Sequence, residues 1–129
     1  MTGRAFDMVE HLVHTDAEGH LAVVAVLLKT GNANALIDSV WKNIPKTKER
    51  AVTVSGAALN AMDLFPTDHA YYRFSGSLTT PPCSEGITWY VKNAPVTLSE
   101  AQVALFAALY PLNARPIQPT NDRQILETR

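Results

Sequence analysis

Residues 6–14 (FDMVEHLVH) put the β-branched Val9 and Val13 on one alternation and Met8 and Leu12 on the other. Apolar residues on both alternations predict a strand buried on both faces rather than a helix. A short polar turn with Gly19 follows, and then the apolar run of residues 21–28 (LAVVAVLL). Two apolar runs joined this way read as a β-hairpin, and Gly31-Asn32 ends its second strand. Leu36, Ile37, Val40 and Trp41 form a helical stripe over residues 35–41. Residues 46–50 (KTKER) read as a solvated charged connector. From 51 to 65 the pattern weakens to a short strand and then a turn or short helical piece near 59–65.

Residues 71–74 (YYRF) and 87–91 (ITWYV) are β-branched and aromatic, and both predict strands. Between them, residues 76–82 read as an irregular loop ending in Pro81-Pro82. Ser99 followed by Gln102 is a capping-box signature, and it opens a helix over 100–109. The tail from 113 to 129 is extended and polar, with Pro116 and Pro119 forbidding a continuous helix. The expected class is mainly β with two short helices.

Composition narrows the function classes. The chain has 129 residues, 47% of them hydrophobic and 18% charged. That length sits within the usual range for one domain, and the apolar fraction is ordinary for a globular protein. A formal net charge of -1 makes no electrostatic case for nucleic acid. No stretch approaches the roughly 20 apolar residues of a membrane span, and residues 1–6 show no apolar leader core. One cysteine excludes both an internal disulfide and a cysteine-rich zinc module.

The histidines are His11, His14, His20 and His69. His11 and His14 are three apart, so on a strand they point to opposite faces and cannot readily share a metal. His20 lies in a turn and His69 in a polar loop. A mononuclear zinc site needs at least three convergent protein ligands, and no local spacing supplies them. On residues alone, His11 reads as a hydrogen-bonded histidine within a sheet. The Ser77-Leu78-Thr79-Thr80-Pro81-Pro82 run can hold a hydroxyl in a fixed direction, or can be a self-capping turn.

Three segments match a known family in order and spacing. They are HLVH from His11, GSLTTPPCSEGITW from Gly76 to Trp89, and NARPIQPTNDRQ from Asn113. The chain resembles the α-class carbonic anhydrases, particularly the bacterial type, over essentially its whole length. The resemblance implies a large, twisted, mostly antiparallel sheet. It also implies a zinc lyase that reversibly hydrates CO2 to bicarbonate and a proton, the metal lowering the pKa of its bound water to ~7. In that family three histidines hold the zinc, and His11 matches the third. Thr79 matches the threonine whose hydroxyl accepts the proton of the zinc-bound hydroxide and aims it. Val13, Val23, Leu78, Ile87 and Trp89 match the apolar wall where CO2 rests, and Thr80 lines the same cavity. Asn113, Arg115 and Arg123 match a structural C-terminal motif.

The departures from the family carry functional information. The first two zinc histidines form an H-x-H pair, and no H-x-H occurs here. Family domains are roughly twice this length, so residues 1–129 resemble a partial domain, its C-terminal half. The family's Glu-x-His is replaced by Val9-Glu10-His11. Val9 takes the position whose carboxylate steadies the ligand, and Glu10 reaches His11 only through a bulge. Cys83 matches a cysteine that, in secreted members, pairs with one nearer the N-terminus. That implies an exported, periplasmic or secreted full-length relative. The expectation is a chain that is inactive alone for lack of two zinc histidines. Alternatives are a silent carbonic-anhydrase-like binding module, or a half-domain completed by another chain. Either way, the strand of His11 would leave a raw sheet edge open to self-association.

Overall fold

The computed structural model describes residues 3–47, 51, 53–56 and 58–128. The hairpin forms as its pattern predicts, with β1 (Met8–Thr15) antiparallel to β2 (Leu21–Thr30). Asp16 shapes the turn: its carboxylate accepts the backbone N–H groups of Glu18 and His20 at 3.0 and 2.8 Å. Asp7 ties the open end by accepting from the Thr30 N–H at 2.7 Å and the Thr30 hydroxyl at 3.0 Å. Those bonds to Thr30 lower the Asp7 pKa.

A second antiparallel pair, β3 (Tyr71–Ser77) and β4 (Glu85–Lys92), lies beside the hairpin. The two halves meet where β2 runs parallel to β4, with Val23 opposite Trp89 and Ala25 opposite Val91. Two further strands complete the sheet. β5 (Val96–Leu98) runs parallel to the end of β2, and β6 (Leu126–Glu127) pairs antiparallel with β3. The six-stranded sheet therefore has the order β1-β2-β4-β3-β6, with β5 on β2. It is mixed: three pairings are antiparallel and two parallel.

The sheet has a core on each side. On one face Val23, Ala25, Ile87, Trp89 and Val91 are buried together. On the other, Val26, Leu28 and Leu98 pack with Ile37 of α1 (Ala35–Trp41) and Leu64 of a single-turn 3-10 helix, Ala61–Leu64. Helix α2 (Glu100–Leu109) covers the same face. Its capping box is complete, with Ser99 accepting from the Gln102 N–H and Gln102 accepting from the Ser99 N–H. Gln102 also locks the helices together. It accepts from the Asn34 N–H at 3.0 Å and donates to the Asn34 carbonyl at 2.8 Å and to the Asp38 carboxylate at 2.6 Å. No helix among the described residues is long and apolar enough to cross a membrane.

Several expectations need correcting. β1 is not buried on both faces: Val9 is 43% exposed and Val13 57%. Apolar periodicity shows which residues suit burial, but among the described residues β1 has a neighbouring strand on one side only. Gly76 and Ser77 belong to β3, so the irregular loop starts at Leu78. No strand forms among the described residues of 51–56, and residues 48–50 of the charged connector lie outside the described residues. The polar tail is extended as expected but contributes β6, because residues 126 and 127 find hydrogen-bonding partners on β3.

Candidate functional site

Alternation along β1 decides which groups His11 can meet. His11 lies opposite Ala25 and Val13 opposite Val23, so both share the face of the Val23–Trp89 core. There the imidazole meets the Trp89 indole edge-on, with ring centroids 4.9 Å apart and planes at 81°. Among the described residues, the imidazole makes this ring contact and no side-chain hydrogen bond. Burial lowers its pKa and holds it in the neutral form, the one that can donate a lone pair to a metal.

The wall beneath is rigid. Val23, Ile87 and Trp89 are buried, and Phe74 stacks on Trp89 with planes 3° apart. Gly76 is needed here, because a Cβ in its place would stand 3.0 Å from Trp89 Cδ1 and 3.3 Å from Phe74 Cε2. The Trp89 Nε1–H donates to the Ser77 carbonyl at 3.0 Å.

Ser77 leads into the hydroxyl loop. Leu78 packs against the same core, and its N–H donates to the Ser84 carbonyl at 2.9 Å. The Cys83 N–H donates to the Thr80 carbonyl at 2.9 Å, with Cys83 in the left-handed region at φ 59°. Thr79 and Thr80 ride exposed on this closed loop. Arg115 reaches in from the tail and donates to the Ser77 hydroxyl at 2.8 Å and the Leu78 carbonyl at 3.4 Å. Sequence reasoning gave Arg115 only a general structural role and did not find Ser77 as the junction between Trp89, the loop and the tail. The one signal was Ser77's place beside Gly76 in the GSLTTPP run. Arg123 acts farther away, donating to the carbonyls of Thr120 and Pro119.

Among the described residues, the other titratable groups do not converge on His11. β1 keeps an unbroken register, so no bulge turns Glu10 toward it. Glu10 faces the opposite side and lines a cavity of about 190 Å³ with Leu12, Leu36, Ile37, Val40, Trp41, Leu59, Ala61 and Leu64. Burial there raises its pKa. Val9, like Val13, shares the face of His11. His14 is exposed, and its Nδ1 bonds the Leu12 carbonyl at 3.0 Å. His20 pairs with Asp16 at 2.8 Å, which lowers the Asp16 pKa. Among the described residues, the three-donor group is Asp16, Glu18 and His20 at the hairpin turn, all exposed, where the Asp16 carboxylate is engaged by the turn N–H groups and the His20 ring. Cys83 is a half-buried free thiol.

The family model for eukaryotic-type carbonic anhydrases matches residues 4–129. The chain belongs to the carbonic anhydrase family. A carbonic anhydrase of Klebsiella pneumoniae is 47% identical over 127 residues, which cover 97% of this chain and 51% of the relative. A hyperthermostable carbonic anhydrase from a hydrothermal vent chimney superposes with a TM-score of 0.91 at 42% identity, covering 99% of this chain and 57% of that one. The Thermovibrio ammonificans α-carbonic anhydrase, solved with the inhibitor sulfanilamide, superposes with a TM-score of 0.86 at 38% identity, covering 91% of this chain and 52% of that one. The chain thus spans about half the length of the curated carbonic anhydrases it matches.

Proposed function

We propose that this chain is the C-terminal half of an α-carbonic anhydrase domain and supplies one side of its active site. The carrying observation is the shared face. His11 stands against Trp89, on the core of Val23 and Ile87, to which Leu78 of the threonine loop also packs. In this reading His11 contributes one metal ligand. Val13, Val23, Leu78, Ile87 and Trp89 form an apolar wall for CO2, with Thr80 at its rim. Thr79 presents a hydroxyl that orients the attacking oxygen, and Arg115 steadies its loop.

The residues present do not fit zinc by themselves. One imidazole stands where a catalytic site needs three protein ligands, and His14 points to the other face. The 129 residues alone therefore support no zinc chemistry, and the reversible hydration of CO2 to bicarbonate belongs to the completed domain. On the same reading Cys83 is half of a disulfide, and the full-length protein works in an oxidising compartment, periplasmic or secreted.

Zinc stoichiometry by equilibrium dialysis and CO2 hydration by stopped flow test this. The purified 129-residue chain is expected to show neither tight zinc nor turnover, and a polypeptide carrying the H-x-H strand is expected to restore both. Tight one-to-one zinc with sulfonamide-sensitive turnover from the chain alone would overturn the reading. Val9, in place of a carboxylate beside the ligand, favours a second reading, a silent binding module. Zinc bound by the completed domain without turnover would select it.

A further inference from the structure

The hydroxyl loop is held where it leaves β3. Among the described residues, no side-chain hydrogen bond falls on Thr79; the Trp89 indole and the Arg115 guanidinium bond Ser77 and Leu78, the two residues before it. Ser77 also sits at a break in the ladder. Gly76 pairs with Ile87 but Ser77 with Glu85, so the register shifts between them and Gly86 is passed over. Gly86 has a φ of 82°, a conformation that favours glycine. A bulge of this kind re-aims the side chain beside it. Here the Ser77 hydroxyl meets Arg115 of the tail at 2.8 Å, while the Ser77 carbonyl takes the Trp89 Nε1–H at 3.0 Å. Trp89 is itself pinned, stacked on Phe74 and edge-on to His11. One fixed ring therefore touches both His11 and the residue that opens the loop.

We propose that Ser77 is a positioning residue: held at both of its oxygens, it fixes the direction in which Thr79 presents its hydroxyl relative to His11. The role of Thr79 rests on the reading above, and the assignment of Ser77 goes beyond it. Thr79 lies two residues after Ser77, so a rotation of the Ser77–Leu78 backbone carries its hydroxyl along. A single bond to Ser77 would leave a hinge. Two bonds, to β4 through Trp89 and to the tail through Arg115, restrain the rotation. A misplacement of about 1 Å can cost about 10²-fold in rate, so losing one of two restraints is expected to cost about tenfold.

Ser77→Ala removes the hydroxyl and leaves the carbonyl bond in place. In the 129-residue chain, amide hydrogen exchange followed by NMR should quicken about tenfold at Leu78 and Cys83, whose N–H groups close the loop, and stay unchanged across the β2–β4 seam. A residue that only stabilises the fold would quicken both alike. With a polypeptide carrying the H-x-H strand added, Ser77→Ala should lower kcat for CO2 hydration about tenfold. The zinc dissociation constant should not move, because His11 rests on Trp89. Arg115→Met removes the same bond, so adding Ser77→Ala to it should lower kcat by less than about twofold more. Uniform quickening, no quickening, full kcat in Ser77→Ala, or an undiminished effect in the Arg115→Met background would each overturn the proposal. The exchange pattern and the kcat of Ser77→Ala decide it if Arg115→Met does not fold. No turnover from the unsubstituted completed domain would overturn the reading of Thr79 instead, and the exchange pattern still decides whether Ser77 holds the loop.

Discussion

Replacing Glu10 by leucine should stabilise the fold at neutral pH, and the structure gives the size. Glu10 carries its carboxyl into a cavity of about 190 Å³ whose other walls are Leu12, Leu36, Ile37, Val40, Trp41, Leu59, Ala61 and Leu64. Burial raises its pKa above the ordinary 4.5. A leucine has nearly the same volume, so no overpacking is introduced. Full burial of a leucine is worth about 1.5–3 kcal/mol, and at a half-buried position about 1 kcal/mol. Relieving a partly desolvated carboxylate adds about 1 kcal/mol. The expected gain is about 2 kcal/mol at pH 7, or a rise in Tm of about 8 °C for a domain of this size.

The pH dependence has a definite sign. A native pKa raised above the unfolded value means the native state holds the proton more tightly. The stabilisation from that proton is complete below pH 4.5 and is lost as pH rises through the native pKa. The advantage of Glu10→Leu is therefore largest at pH 7 and smallest near pH 4. Urea unfolding followed by tryptophan fluorescence at both pH values measures it. Two protein concentrations separate folding from association. No gain at pH 7, or a gain that grows on acidification, would refute the reasoning.

Two further substitutions probe the site wall and the helices behind it. Gly76→Ala forces a methyl against Trp89 and Phe74 at about 3 Å, and is expected to cost about 1–3 kcal/mol and to shift the Trp89 emission. Urea titration and fluorescence spectra report both effects. Gln102→Leu removes the capping box and strips partners from Asn34, Ser99 and Asp38, so about 2–4 kcal/mol should be lost in the same titration.

Elements written in local chemistry were legible in the sequence. The hairpin, α1 over residues 35–41 and the Ser99/Gln102 box depend on neighbours a few positions apart, and each forms where the pattern puts it. β5 and β6, three and two residues long, are too short to show a period. They exist because β2 and β3 offer them partners. The site divides the same way. Alternation places His11 with Val13 and turns Glu10 away. The contact of His11 with Trp89 depends on the parallel register of β2 on β4, which no local pattern encodes. The same holds for Arg115 on Ser77, a bond across the fold between a tail residue and a strand end.

That parallel seam also dictates an order of assembly. β1 with β2, and β3 with β4, are antiparallel pairs closed by short connections, so each can form early from its own stretch of chain. The β2–β4 contact joins residues 22–25 to residues 88–91 and requires the long segment between them, with α1 and the 3-10 helix, to close first. Two local units docking through distant pairings, β2 on β4 and β2 on β5, make a slow, topology-limited search. The wall beneath His11 straddles that seam, with Val23 and Ala25 on one side and Trp89 and Val91 on the other. The pocket floor is therefore among the last parts of the molecule to acquire its shape.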